Sequence, residues 1–239
     1  MEFETMQILC EVIISILKVS KGEPVLHELV KKEVKLPLET TERLLQTLLS
    51  DGLVYLLDGF LQTNSLQRVS LALRALELGA DYERVSGFLE WKEFESLAAV
   101  ALEMHGYAVT RNVRFRQGGR RWEIDIVGCR RPLVVCVDCK HWRHGLHPSK
   151  LRGAVDEQVK RTMAFSEALP NPTVRVEFAS WDEARFVPAV VSLVPASFKF
   201  HERTPVVPIL QLRDFLAQLP MCLDSLRSFE RAQRHLKIA

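Results

Sequence analysis

The sequence predicts two folded parts: a mainly α domain of winged-helix order, then an α/β domain with an αβββαβ core around a mixed central sheet. Three observations carry this. Three helical stretches precede two short apolar runs joined by Asp58-Gly59, a strong hairpin signal. From Leu89 the pattern changes to one helix followed by three strand-like runs. A long helical stretch and further apolar strands follow, an alternation that covers a sheet with helices. The expected boundaries are 1–64 for the winged-helix-like domain, 65–87 for a connecting helix and linker, and 88–239 for the α/β domain.

Each element has a local reason. Ile8, Val12, Ile16 and Val19 recur at spacings of three and four, and Gly22-Glu23-Pro24 ends that helix. A short helix runs from about Val25 to Glu33. A third runs from about Leu38 to Ser50 on the face Leu44, Leu45, Leu48 and Leu49, with Gly52 as its C-cap. In a winged helix this third helix reads DNA. Here it carries Arg43 as its one cation, beside Glu39 and Glu42, so a partner-binding or dimerising role stands equally open. The connecting helix spans about Ser65 to Leu78.

In the second part, Trp91 to Gly106 is a helix with the stripe Phe94, Leu97, Ala98, Ala101 and Leu102. Strands are expected at Tyr107 to Phe115, Arg121 to Val127 and Leu133 to His141, turned at Gly118-Gly119 and at Gly128 to Pro132. A helix from about Lys150 to Ala168 follows. Strands near Val174 to Ala179 and Val187 to Val194 come next, then apolar Val206 to Leu210, a helix at Gln211 to Leu219 and a last helix at Leu223 to Leu236.

The chain has 239 residues, 47% hydrophobic and 26% charged, which excludes disorder and low complexity. No internal repeat is present. No apolar run reaches the roughly 18 to 20 residues that span a bilayer. No small-residue cleavage site follows Ile13 to Leu17, so neither membrane insertion nor a signal peptide is expected. Five scattered cysteines fit a reducing compartment, and a cytoplasmic location is the expectation. Cys136 and Cys139 form a C-x-x-C, but residues three apart on a strand face opposite ways, so core packing is expected for both.

Charge is uneven. Between Arg111 and Arg161, thirteen basic residues against five acidic ones give a net +8, leaving −6 for the rest of a chain of net +2. A basic centre in a near-neutral chain points to a polyanion site.

Chemistry concentrates on the hairpin from Trp122 to His141. Asp125 and Asp138, thirteen residues apart around a turn at Arg130-Arg131, fall opposite each other, where Cβ atoms approach within about 5 Å. Two such carboxylates repel unless a cation sits between them. Lys140 shares the face of Asp138. Hard oxygen ligands beside a positive group are what magnesium-assisted phosphodiester hydrolysis requires.

Glu95 on the helix, Asp125 in Glu-Ile-Asp-Ile-Val, and Asp138-Cys139-Lys140 resemble the signature of the PD-(D/E)XK nuclease superfamily. The stretch Trp91 to Trp142 is similar to Mrr-type restriction endonucleases and archaeal Holliday-junction resolvases. The resemblance covers about Leu89 to Ser166 and implies a restriction-endonuclease-like fold. It implies that Asp125, Asp138 and the carbonyl of Cys139 ligate Mg2+, with Mn2+ substituting. It implies that Lys140 activates water, that Glu95 positions water at the metal, and that Gln158 matches a glutamine of some relatives. Asp138 stands where Glu is more frequent. Arg120, Arg121, His141, Arg143, Lys150 and Arg161 are the candidate nucleic-acid contacts. His141, His144 and His147 have no spacing that fixes a second metal, and a substrate-contacting loop is the better reading.

The implied activity is a metal-dependent endonuclease hydrolysing DNA, in restriction or in recombination and repair, acting as a homodimer if both strands are cut. The alternatives are a non-catalytic regulator binding nucleic acid or a protein partner, and an RNA nuclease.

Overall fold

The computed structural model describes residues 2–21, 23–34, 37–81, 84–85, 87–141, 147–168, 181–193 and 195–232. The chain forms two compact units, residues 1–97 and 98–239.

In the first unit, helix α1 (Glu2–Ser20) is followed by strand β1 (Val25–Leu26), helices α2 (His27–Val34) and α3 (Leu38–Ser50), strands β2 (Tyr55–Leu57) and β3 (Phe60–Gln62), and helix α4 (Ser65–Glu77). Val25 and Leu26 begin the segment expected to be wholly helical. They pair instead with Leu61 and Phe60, making a three-stranded antiparallel sheet in the order β1-β3-β2. Helix α4 corrects a second expectation. Read from sequence as a connector, it buries Leu71, Ala72 and Ala75 in one core with Val12, Ile13, Ile16 and Leu17 of α1. A capping box explains its start: Asn64 accepts from the Gln67 N–H, and the Gln67 side chain accepts from the Asn64 N–H.

Helix α5 (Trp91–Met104) crosses from one unit to the next. Strands β4 (Ala108–Gln117), β5 (Arg120–Arg130) and β6 (Leu133–Lys140) follow, then helix α6 (Pro148–Glu167) and strand β7 (Glu183–Ser192). Strands β8 (Phe200–His201) and β9 (Thr204–Pro208), helix α7 (Leu212–Cys222) and strand β10 (Phe229–Ala232) complete the described chain. The sheet is mixed, in the order β4-β5-β6-β7-β9-β8. Its first three strands are antiparallel, while β6-β7 and β7-β9 are parallel. Strand β6 is buried on both faces, as expected of a central strand between covering layers. Gly128 lies where the sheet meets α5, and a Cβ there would stand 3.0 Å from Leu102 Cδ2, so a larger residue makes that buried leucine shift.

Over the described residues, up to Ala232, the expected C-terminal helix from Leu223 to Leu236 is not formed. After a 3-10 turn at Leu223–Ser225, β10 pairs antiparallel with the first half of β7, Phe229 opposite Phe186. That half of β7 would otherwise leave backbone donors and acceptors unpaired beside a buried core. Arg185 and Arg203 hold the approach, donating to Ser228 Oγ and to the Ser225 carbonyl, both at 2.9 Å. The expected strand near Val174 to Ala179 lies outside the described residues.

Helix α6 faces the sheet with Leu151, Val155, Gln158, Thr162 and Phe165, at spacings of four and three. Phe165 seats it between Phe115 and Phe186, at ring centroid distances of 5.0 and 6.0 Å. Arg161 flanks this stripe. Among the described residues, no helix is long and apolar enough to cross a membrane.

Candidate active site

The site begins with an irregularity in the sheet. The β4-β5 register runs from Ala108↔Cys129 to Gln117↔Arg120 with one omission: Asn112, which falls opposite Asp125. Asn112 has φ +51°, a left-handed conformation that asparagine tolerates better than most residues. Ile124 and Val127, an odd number of residues apart, both join one core cluster. A regular strand would send them to opposite faces, so β5 turns over at Asp125–Ile126.

The β5-β6 ladder ends at the same point, with Ile126↔Val137 as its last pair. Continuing that register places Asp125 opposite Asp138. Beyond the ladder, the N–H of Cys139 donates to Asp125 Oδ2 at 2.8 Å. The Asp125 side chain thus takes over a backbone donor that the departing strand leaves.

Asp138 is only 1% exposed. Arg161 Nη1 donates to its Oδ1 at 2.6 Å. Lys140 Nζ stands 2.7 Å from Oδ2 as an ion pair. That contact lacks hydrogen-bond alignment, so Oδ2 remains a buried oxygen without a hydrogen-bond partner. Gln158, fully buried, donates from Nε2 to the Cys136 carbonyl at 2.7 Å, and its own Oε1 also lacks a partner. The expected mutual repulsion of the two carboxylates is therefore relieved within the chain, by a backbone N–H at Asp125 and two cations at Asp138.

The structure thus gathers Asp125, Asp138, Cys139, Lys140, Gln158 and Arg161 around the end of one ladder. Arg161, expected against phosphate, instead pairs with Asp138, a partner 23 residues away that helical spacing could not reveal. Glu95 lies on α5, where its carboxylate accepts a hydrogen bond from the Trp91 indole. Its neighbour Glu93 has a separate role. Glu93 Oε1 accepts from Arg68 Nε at 2.7 Å, and Oε2 from the Glu90 N–H at 2.8 Å. Arg68 also donates to the carbonyls of Leu17 and Phe88 and, at 2.7 Å, to Ser20 Oγ.

Of the other expected contacts, Arg120 lies 4.1 Å over the Trp122 ring and 3.5 Å from Glu157. Arg121 is exposed directly opposite Arg116, a like-charge pair that costs stability unless an anion joins it. Lys150 is exposed near the start of α6, and His141 is half-buried after β6. Arg143, with Trp142 and His144, lies outside the described residues. Cys136 and Cys139 are buried thiols that form no disulfide. Burial, and secondarily Cys129, pushes the Cys136 thiol far above its ordinary pKa, so it is inert packing.

Among the described residues, no three His, Cys, Asp or Glu side chains cluster as a metal cage. Two carboxylates do fit a magnesium ion, which is usually bound by one or two carboxylates and keeps several waters. Asp138 Oδ2, buried without a hydrogen-bond partner and met by Lys140 only as an ion pair, supports that fit.

The nuclease-related domain family, NERD, matches residues 90–179. The chain is 30% identical to an uncharacterized protein of Archaeoglobus fulgidus over 132 residues, 55% of this chain and 92% of that protein. It carries a nuclease-related domain of the PD-(D/E)XK-like nuclease fold, and it belongs to the same family as that archaeal protein. Among solved structures, protein VC1899 from Vibrio cholerae is 15% identical with a TM-score of 0.33, across 93% of this chain and 57% of that one. Can2 from Sulfobacillus thermosulfidooxidans, solved with cyclic tetra-adenylate, is 14% identical with a TM-score of 0.34, across 73% of this chain and 44% of that one. The chain thus spans about half the length of these two proteins.

Proposed function

We propose that this chain is a metal-dependent endonuclease that hydrolyses phosphodiester bonds in DNA, serving restriction or recombination and repair. One observation carries the reading. A nearly fully buried aspartate with an unsatisfied oxygen stands beside a lysine, and a second aspartate occupies the adjoining register position where the strands part. Buried charge of this kind is costly to keep without a task.

Asp125, Asp138 and the Cys139 carbonyl would hold Mg2+, with Mn2+ substituting. When bound, the ion supplies Lewis-acid polarisation at the scissile phosphate. Lys140 orients the attacking water and offsets charge that builds on the phosphoryl oxygens in the transition state. Gln158, through its bond to the Cys136 carbonyl, fixes α6 against β6 and so holds Arg161 beside Asp138. The exposed Arg116 and Arg121 pair, with Lys150, His141 and Arg143, supplies phosphate contacts. A homodimer would supply two such sites for the two strands of a duplex.

The order α1-β1-α2-α3-β2-β3 supports a winged-helix reading of the first unit. Its hairpin exposes Tyr55, Leu56, Leu57 and Phe60, an apolar surface more suited to a protein partner than to DNA. That observation favours the second reading, a non-catalytic regulator built on a nuclease-like domain. Incubation with linear, supercoiled, branched and single-stranded DNA, and with RNA, in Mg2+ separates the readings. Cleavage abolished by chelation supports the endonuclease. Binding of nucleic acid without cleavage in Mg2+ or Mn2+ supports the regulator.

A further inference from the structure

We propose that Arg161 is an internal counter-ion that holds Asp138 until a divalent cation binds, and is then released towards a substrate phosphate. The inference rests on the metal-dependent reading above.

The starting point is charge balance. A buried carboxylate needs compensation, and Asp138 receives more than it needs, with Arg161 on one oxygen and Lys140 beside the other. One of the two cations is surplus to the carboxylate. Lys140 is fixed on the strand itself, two residues from Asp138. Arg161 reaches in from α6, and its side chain is 28% exposed, so it has a path back to water.

Its surroundings favour a phosphate. One turn earlier on α6, Glu157 pairs with Lys160 at 2.9 Å and more loosely with Arg120 at 3.5 Å. Lys160, then Arg120 and Arg161 more weakly, hold the Glu157 carboxyl below its ordinary range. Four cations thus surround two carboxylates, Asp138 and Glu157, with Asp125 beyond them against the Cys139 N–H. A dication taken up by Asp138 would stand a few ångströms from the guanidinium. At equal distance and dielectric, a dication repels the guanidinium twice as strongly as one carboxylate attracts it. Arg161 leaves Asp138, and its planar fork suits two phosphate oxygens. Metal binding and DNA binding are then coupled, each favouring the other through one side chain.

The test is calorimetric titration of Mn2+ into the full chain without DNA, for the unmodified protein, Arg161→Gln, Arg161→Lys and Asp138→Asn. Removing the competing charge should tighten Mn2+ binding in Arg161→Gln by about tenfold, while Arg161→Lys stays near the unmodified value. A structural prop, once removed, would loosen the site instead. Equal or weaker Mn2+ binding by Arg161→Gln overturns the proposal. Undiminished binding by Asp138→Asn overturns the metal reading itself, and the proposal with it. A second measurement needs no variant. The Nη–H resonances of Arg161, one of which is bonded to Asp138 Oδ1, should be protected from exchange in metal-free protein and lose that protection as Mg2+ saturates the site. A resonance protected throughout the titration contradicts release.

Discussion

Two buried carboxylates in this chain are each held by an arginine, and they are built to opposite ends. Glu93 is saturated: Arg68 takes one oxygen, a backbone N–H takes the other, and the guanidinium gives three of its four remaining N–H donors to two carbonyls and a hydroxyl. Neither side chain reaches solvent, at 1% and 4% exposure. Asp138 keeps an oxygen without a hydrogen bond, and its two cations are 21% and 28% exposed. The first arrangement leaves nothing for a ligand to do. The second holds a buried charge and two part-exposed cations in one place. Saturation, more than burial, distinguishes these two ion pairs.

The comparison can be broken at either site. The largest effect is expected at Asp125. Asp125→Ala should lower the cleavage rate by at least about 10³-fold and release the Cys139 N–H, with the fold retained in circular dichroism. Near-native cutting by this variant in Mg2+ would remove Asp125 from the site.

At the saturated pair, Glu93→Gln should cost about 3–5 kcal/mol, because it leaves Arg68 buried and unpaired. Asp138→Asn should cost less, since Lys140 and Arg161 can turn to water. Chemical denaturation of the two variants ranks these losses. A smaller loss at Glu93 than at Asp138 would refute the contrast. Arg68→Met with Glu93→Leu should recover much of the single-variant loss.

Lys140→Ala should slow single-turnover cleavage by about 10² to 10³ while leaving DNA affinity nearly unchanged, and Lys140→Arg should rescue poorly. Parallel loss of affinity and rate would reduce Lys140 to a binding residue. The smallest effect belongs to the kink. Asn112→Val should destabilise by about 1–2 kcal/mol, because a β-branched residue resists positive φ, while Asn112→Gly should be neutral or stabilising. Thermal melts of the two variants check the sign.

The hairpin from Trp122 to His141 was legible because its information is local. Thirteen residues around a turn fix which positions oppose each other, so Asp125, Asp138 and Lys140 could be placed by counting. The flanking contacts are not local. Arg161 meets Asp138 only once α6 has packed on the sheet. Glu93 and Glu95 look alike on a helix, and only Arg68, 25 residues earlier, tells them apart. Asn112 carries no pattern that predicts a left-handed residue in mid-strand. Strand β10 pairs with a strand more than 40 residues away, so its sequence alone looked helical. In the first unit Leu44, Leu45 and Leu48 of α3 are buried as their spacing requires, while the function of that unit rests on surface chemistry that periodicity does not encode.

The most direct test is cleavage of supercoiled plasmid DNA at low salt in Mg2+, by the unmodified protein and by Asp138→Asn, with a chelated control. The account predicts nicked and linear products from the unmodified protein and intact plasmid in both other reactions. Intact plasmid with the unmodified protein in Mg2+ and in Mn2+, or products from Asp138→Asn at the unmodified rate, would contradict it.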